Sequence, residues 1–366
     1  MPVSKTLLSL ALIGVIVFSL YASVKVAYSA DTVLSEVNSI IKQVQEIRGL
    51  TFKEMPQIEV ITKAQALAMW KPSPVDMERM RIAEMTYKMT FLLPPDYQYI
   101  KDQQERSAGW IAATVGNKIY IIQENFMSNP AVAKRSIAHE LTHVLQKQWF
   151  NAKYGADTFD GTLAVRALVE GDADLVADLY CERNGIPIHK IRSLSGDPLT
   201  DLNIFPYVFG DSFVRYLYRV GGWKLVNEAY SRYPVSTAQI MHPELYLENV
   251  TPANVSLSIP KNWSVMRDDR MGEFYVYVLL RDVAKEDNQT AWNVSSAWLG
   301  DHLVLATNGT DYILLWKVEF SSESAAKTFG ETLETLARGN TYAKYTMTVE
   351  GRSVILKAVR GAIIEA

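Results

Sequence analysis

Cysteine is almost absent. The 366 residues include one, Cys181, so no intramolecular disulfide can form and no cysteine cluster can hold a metal. A lone cysteine of this kind reads as a small buried hydrophobe. Charge of one sign is also lacking: 37 Lys and Arg stand against 40 Asp and Glu, a net of −3. That balance argues against nucleic acid as a partner, and no long acidic block marks a disordered tail. Internal repeats and low-complexity tracts are missing too. What is present is 48 % hydrophobic and 21 % charged residues. That suits a globular protein with a real core, long enough for two domains or one large domain and an appendage.

The N-terminus stands apart. Thr6–Val24 is an uncharged, mostly apolar run of 19 residues, long enough to span a bilayer core as a helix. Ala27-Tyr28-Ser29 has the small-x-small spacing of a signal cleavage site, but the run is long for a signal core. Residues 1–30 are therefore expected to be a single-pass anchor in the cell membrane with the remainder extracytoplasmic, the alternative being a cleaved signal and a secreted protein. Six Asn-x-Ser/Thr sequons, at Asn249, Asn254, Asn262, Asn288, Asn293 and Asn308, fit a glycosylated extracellular surface.

Helical periodicity covers Val33–Ile47, Met77–Leu92 and about Thr162–Arg183. Pro206–Tyr233 also reads as helical, broken near Gly221-Gly222. Glu59–Thr62 reads as a short strand, and Trp110–Ile122 as a hairpin turned at Val115-Gly116-Asn117. Asn129-Pro130 opens a long helix, Asn as cap and Pro in the first turn, with Ile137, Leu141, Val144, Leu145 and Phe150 as its apolar stripe. Beyond Pro260, a helix over Phe274–Val283 precedes a hairpin (His302–Ala306, Tyr312–Phe320). A helix at Ser324–Arg338 and a second hairpin (Tyr345–Val349, Ser353–Val359) follow. The fold class is α+β. Residues 31–254 form a mainly helical domain with a small sheet or hairpin, and residues 255–366 a smaller α+β domain packed with it. Residues 31–75 are either part of the fold or an inhibitory propeptide.

His139-Glu140-Leu141-Thr142-His143 is an H-E-x-x-H sequence within the Asn129 helix. Residues i and i+4 share a helix face, so both imidazoles can reach one ion, and Glu140 can touch a water there without ligating. A catalytic zinc wants a third ligand and an open position. The next helix supplies Glu170 and, one turn on, Asp174, a carboxylate able to hold the far nitrogen of a ligand imidazole. With five histidines in all, this arrangement seldom arises by chance. Zn²⁺ is the expected cofactor, bound by His139, His143 and Glu170.

H-E-x-x-H with a downstream E-x-x-x-D resembles the thermolysin-like gluzincins, zinc metallopeptidases. The sequence also resembles a group of prokaryotic gluzincin-like proteins over roughly residues 80–330. The likeness rests on Ala108-Gly109-Trp110-Ile111, Ala138–Gln146, Glu170-Gly171-Asp172-Ala173, Pro206-Tyr207 and Gly221-Gly222-Trp223. It extends to Ser236-Thr237, to His242-Pro243-Glu244 with Tyr246, and to Trp298-Leu299-Gly300-Asp301. Gln239 departs from it, standing where an acid is usual. The resemblance implies cleavage of a peptide or protein substrate by a zinc-activated water, with Glu140 as general base. His242 and Tyr207 are candidates for stabilising the oxyanion. By analogy, extended substrate lies along an edge strand, here Ala112-Ala113-Thr114. Two alternatives stay open: a catalytically silent surface protein that binds a partner on the same scaffold, and a zinc hydrolase of a non-peptide amide or ester. The first would be marked by a lost ligand or a lost Glu140, and none is lost.

Overall fold

The computed structural model describes residues 34–69, 74–106, 112–128 and 130–361. In sequence order, helix α1 covers residues 34–48. Then come β1 (Gln57–Ile61), α2 (Lys63–Met69), α3 (Pro74–Met89), α4 (Tyr99–Arg106), β2 (Ala112–Val115), β3 (Lys118–Ile122), α5 (Gln123–Ser128), α6 (Pro130–Phe150) and α7 (Phe159–Arg183). Next are α8 (Pro198–Ala229), α9 (Thr237–Met241), α10 (Pro243–Leu247), β4 (Ser264–Asp269) and α11 (Glu273–Val278), which runs into a π-helical turn at Leu279–Val283. Last are α12 (Asn288–Ser295), β5 (Trp298–Thr307), β6 (Tyr312–Phe320), α13 (Glu323–Ala337), β7 (Lys344–Glu350) and β8 (Ser353–Arg360). The class is α+β, as expected from the sequence.

Two compact units emerge. The first comprises residues up to 70, 107–148 and 176–189; the second comprises 71–106, 149–175 and 190 onward. In the first, three strands pair in the order β1-β3-β2, with β1 parallel and β2 antiparallel to β3. Gly116, at φ 64°, takes the first central position of the two-residue turn from β2 to β3, where a side chain would be strained. Ile119, Ile121 and Ile122 are fully buried. Along α6, Ile137, Leu141, Val144 and Leu145 are likewise fully buried, the stripe that the periodicity indicates. Asn151, at φ 48°, ends the helix in the left-handed region that Asn tolerates. A buried ion pair, Arg135 Nη2 to Asp178 Oδ1 at 2.8 Å, ties α6 to the C-terminal half of α7.

In the second unit, five antiparallel strands run β4-β5-β6-β8-β7. Asp301 is the polar hub beside this sheet. It accepts hydrogen bonds from Met271 N and Gly272 N at 2.8 Å, Trp316 Nε1 at 2.9 Å and Trp298 Nε1 at 3.1 Å. Burial raises its pKa to about 6 despite those donors. A side chain at Gly300 would strike the Ala253 carbonyl at 2.5 Å. The Trp-Leu-Gly-Asp sequence is thus explained by packing. Asp160, at the start of α7, is fully buried and accepts from Thr237 N, Thr237 Oγ1 and Arg270 Nε at 2.7, 2.6 and 2.8 Å. Gln239 accepts from Val235 N and donates to the Val250 carbonyl, a double role that an ionised carboxylate could not fill.

The membrane anchor is corrected. Among the described residues, no helix is long and apolar enough to cross a membrane. The longest, α8, carries Asp201, Asp211, Arg215, Arg219, Lys224 and Glu228, charges that a bilayer core does not tolerate. The Thr6–Val24 run lies outside the described residues, so no described helix bears out the placement in a membrane. The Ala108–Ile111 segment and the Asn129 cap also lie outside them. All six sequon asparagines are exposed, and three have a local structural reason. Asn249 and Asn262 occupy the left-handed region at φ 57° and 69°, and Asn308 accepts from Thr310 N and Asp311 N in its turn.

Candidate metal centre

The two histidines project from one side of α6 because residues four apart stack on a helix face. Both are buried, His139 at 8 % exposure and His143 at 6 %. Their Nε2 atoms face each other at 3.0 Å, with the rings nearly perpendicular, at 87°. Two imidazole nitrogens bound tetrahedrally at about 2.0–2.1 Å from one ion stand roughly 3.3 Å apart, so the pair converges on a point that suits a metal. The carboxylate of Glu170, on α7, completes the set: the three ligand atoms lie within 4.8 Å of one another. Two neutral nitrogens and one carboxylate oxygen, two of the three side chains buried, make a donor set that fits a borderline divalent ion.

The surrounding groups prepare these ligands. His143 Nδ1 lies 2.8 Å from Gln146 Oε1. An amide oxygen only accepts, so Nδ1 carries the proton and the lone pair on Nε2 points to the metal point. Gln146 is fully buried. In the sequence it stands out only as the end of a motif; its position three residues after the second histidine is the signal that assigns its role. Thr114 Oγ1, on β2, lies 2.7 Å from Glu140 Oε2 and 3.1 Å from the Glu140 carbonyl. The Thr114 hydroxyl, on the strand expected to meet substrate, grips the candidate base. Only the folded pairing of β2 with α6 shows this contact, because 26 residues separate the two.

Glu170 owes its place to a close helix crossing. A side chain at Gly171 would meet the Gly210 carbonyl oxygen at 2.1 Å, and one at Gly210 would meet the Ala167 carbonyl oxygen at 2.3 Å. Backbone thus touches backbone where α7 crosses α8, beside the third ligand. Asp172 accepts from the Tyr230 hydroxyl at 2.7 Å. Asp174 is buried at 3 % exposure, one turn beyond Glu170. The Glu-Gly-Asp-Ala sequence therefore combines a candidate ligand, a close-approach glycine and a tether.

The remaining candidates fall elsewhere. His242 immediately precedes α10 without a side-chain capping bond, with Nε2 2.8 Å from Glu273 Oε1 and its ring tilted on Trp292. Burial pulls its pKa down, but the hydrogen bond and charge of Glu273, with Glu244 behind, outweigh burial and raise it above 6.5. Tyr207 lies on α8, three residues before Gly210, and is 36 % exposed. Ala112-Ala113-Thr114 forms most of β2, the edge strand of its sheet. His302 pairs with Asp268 at 2.9 Å.

Two family models match parts of the protein. One, described as an eCIS core domain, matches residues 100–149, a span that holds the β2–β3 hairpin and the H-E-x-x-H helix. The other, described as a domain of unknown function (DUF8575), matches residues 263–360, the span of the five-stranded sheet. No curated protein and no solved structure matches the sequence. The eCIS core match and the His-His-Glu cluster are compatible with a zincin-like motif.

Proposed function

We propose that this protein is a zinc-dependent peptidase whose ligands are His139, His143 and Glu170 and whose general base is Glu140. The observation that carries the reading is the convergence of both Nε2 atoms and the Glu170 carboxylate on one point, on the helix that also bears Glu140. Zinc, when bound there, lowers the pKa of a water towards about 7 and polarises a carbonyl. Gln146 fixes the His143 tautomer through Nδ1. Asp174, one turn beyond Glu170, is the carboxylate proposed to hold the far nitrogen of a ligand imidazole. Thr114 holds one oxygen of Glu140, so the other takes the proton of the attacking water and later gives it to the leaving amine. For the oxyanion the candidates are Tyr207, one turn from the crossing beside Glu170, and His242, which is hydrogen-bonded to Glu273. Extended substrate adds to the outer edge of β2.

The test is cleavage of casein by the zinc-loaded full-length protein, beside Glu140→Gln. The expected result is turnover in the wild type and loss of at least about a hundredfold in the variant at unchanged zinc content, the scale of a general-base contribution. A zinc-loaded protein that leaves casein intact but hydrolyses simple esters would overturn the peptidase reading.

A further inference from the structure

A cavity of about 240 Å³ opens among α3, α4, α7 and α8. At roughly 30 Å³ per water it has room for about eight waters, or one amino-acid side chain. Its wall on α7 is Phe159, Leu163 and Arg166. These stand eleven, seven and four residues before Glu170, so all four lie along one stripe of the helix, with Arg166 about 6 Å from Glu170 along the axis. Opposite are Tyr87 and Tyr99, edge to face with centroids 5.6 Å apart. Burial raises the pKa of both hydroxyls, so both stay protonated and can donate. Asn203, on α8, adds an amide.

The chemistry of this wall is one-sided. Among the described residues, no acidic side chain lines the cavity. Arg166 donates through Nε to the Tyr154 carbonyl at 3.1 Å, which orients the guanidinium. Among the described residues no carboxylate pairs with it. An oriented guanidinium in a cavity lined by aromatic rings and neutral donors is a receptor for a carboxylate.

We propose that this cavity is a substrate subsite that receives a carboxylate-bearing residue near the scissile bond, with Arg166 as its specificity-determining contact. The inference rests on the peptidase reading for its meaning, but the binding it requires does not depend on catalysis. The carboxylate can come from an acidic side group or from the C-terminus of a peptide.

The probes are three dipeptides: acetyl-Ala-Glu-amide, acetyl-Ala-Gln-amide, and acetyl-Ala-Gln with a free C-terminus. Each is titrated by NMR into the full-length protein freed of metal by a chelator. At least one carboxylate peptide should bind about tenfold or more tightly than the neutral one, the scale of a charge-assisted hydrogen bond. Which peptide it is identifies the source. Arg166→Gln should abolish the preference and Arg166→Lys keep part of it. Because Arg166 is exposed, both variants should fold, which circular dichroism checks. Equal affinity for all three peptides, no binding of any, or a preference that survives Arg166→Gln overturns the proposal. A preference confirmed in a protein whose zinc-loaded form cuts no peptide would leave the carboxylate pocket standing and remove the peptidase reading alone.

Discussion

Replacing Gly171 with alanine should loosen the fold and the metal site together. The added carbon would stand 2.1 Å from the Gly210 carbonyl oxygen, 2.4 Å from its carbon and 2.9 Å from Val214 Cγ2. The two closest atoms are backbone, so no side-chain rotation relieves them. Restoring an ordinary 3.4 Å contact requires α8 to retreat by about 1.3 Å, which would unpack Phe213, Val214 and Leu217, all fully buried. Overpacking of this kind costs about 1–3 kcal/mol or more, while the helix gains about 1 kcal/mol from alanine over glycine. Because the clashing atoms are backbone, the upper end of that cost applies, and the net expectation is a loss of about 2 kcal/mol, read by urea denaturation of the metal-free protein. Glu170 is the adjacent residue, so zinc affinity, read by competition with a chelator, should fall as well. Gly210→Ala should behave alike, since its added carbon meets the Ala167 carbonyl oxygen at 2.3 Å. A Gly171→Ala protein as stable as wild type, with unchanged zinc affinity, would refute the close-crossing argument.

Other perturbations follow from the same contacts. Arg135→Met takes the guanidinium away from Asp178, which is 1 % exposed, so it should cost about 3–5 kcal/mol in urea denaturation, and Asp178→Leu added to it should recover much of that; equal stability of both would contradict the pairing. Thr114→Val should lower kcat about tenfold at full zinc content, with loss of zinc instead pointing to a structural role. His242 has a folded pKa raised above 6.5, so its stabilisation is complete below pH 6.5 and lost as pH rises through that higher value. The wild type should therefore lose stability relative to Glu273→Gln as pH rises above 6.5, and a difference that stays constant over that rise would count against the pair.

Much of this architecture was legible in the sequence because local periodicity and turn chemistry agree with the fold. The hairpin at Gly116-Asn117, the break at Gly221-Gly222 and the buried stripe of α6 all follow from short-range rules. The helix read over Met77–Leu92 runs over Pro74–Met89, a shift of three residues at each end, where propensity decides little. The π-helical turn at Leu279–Val283 has no local signature and is set by packing. At the candidate site, i, i+4 spacing put His139 and His143 on one helix face, and the need for a third ligand pointed to Glu170, which lies with them. Thr114 and the Gly171–Gly210 crossing were out of reach, since they join residues 26 and 39 positions apart whose meeting is a tertiary event. His242 sits in a motif that looks catalytic, but its partner Glu273 is 31 residues away.

The central claim is that His139, His143 and Glu170 hold one metal ion. The most direct test is the metal content of the full-length protein, purified with zinc supplied and then dialysed, beside Glu170→Gln. About one zinc per molecule in the wild type, with loss or marked weakening in a Glu170→Gln protein that remains folded, is the predicted result. A folded wild type that retains no zinc, or a Glu170→Gln variant that binds it as tightly, would contradict the account.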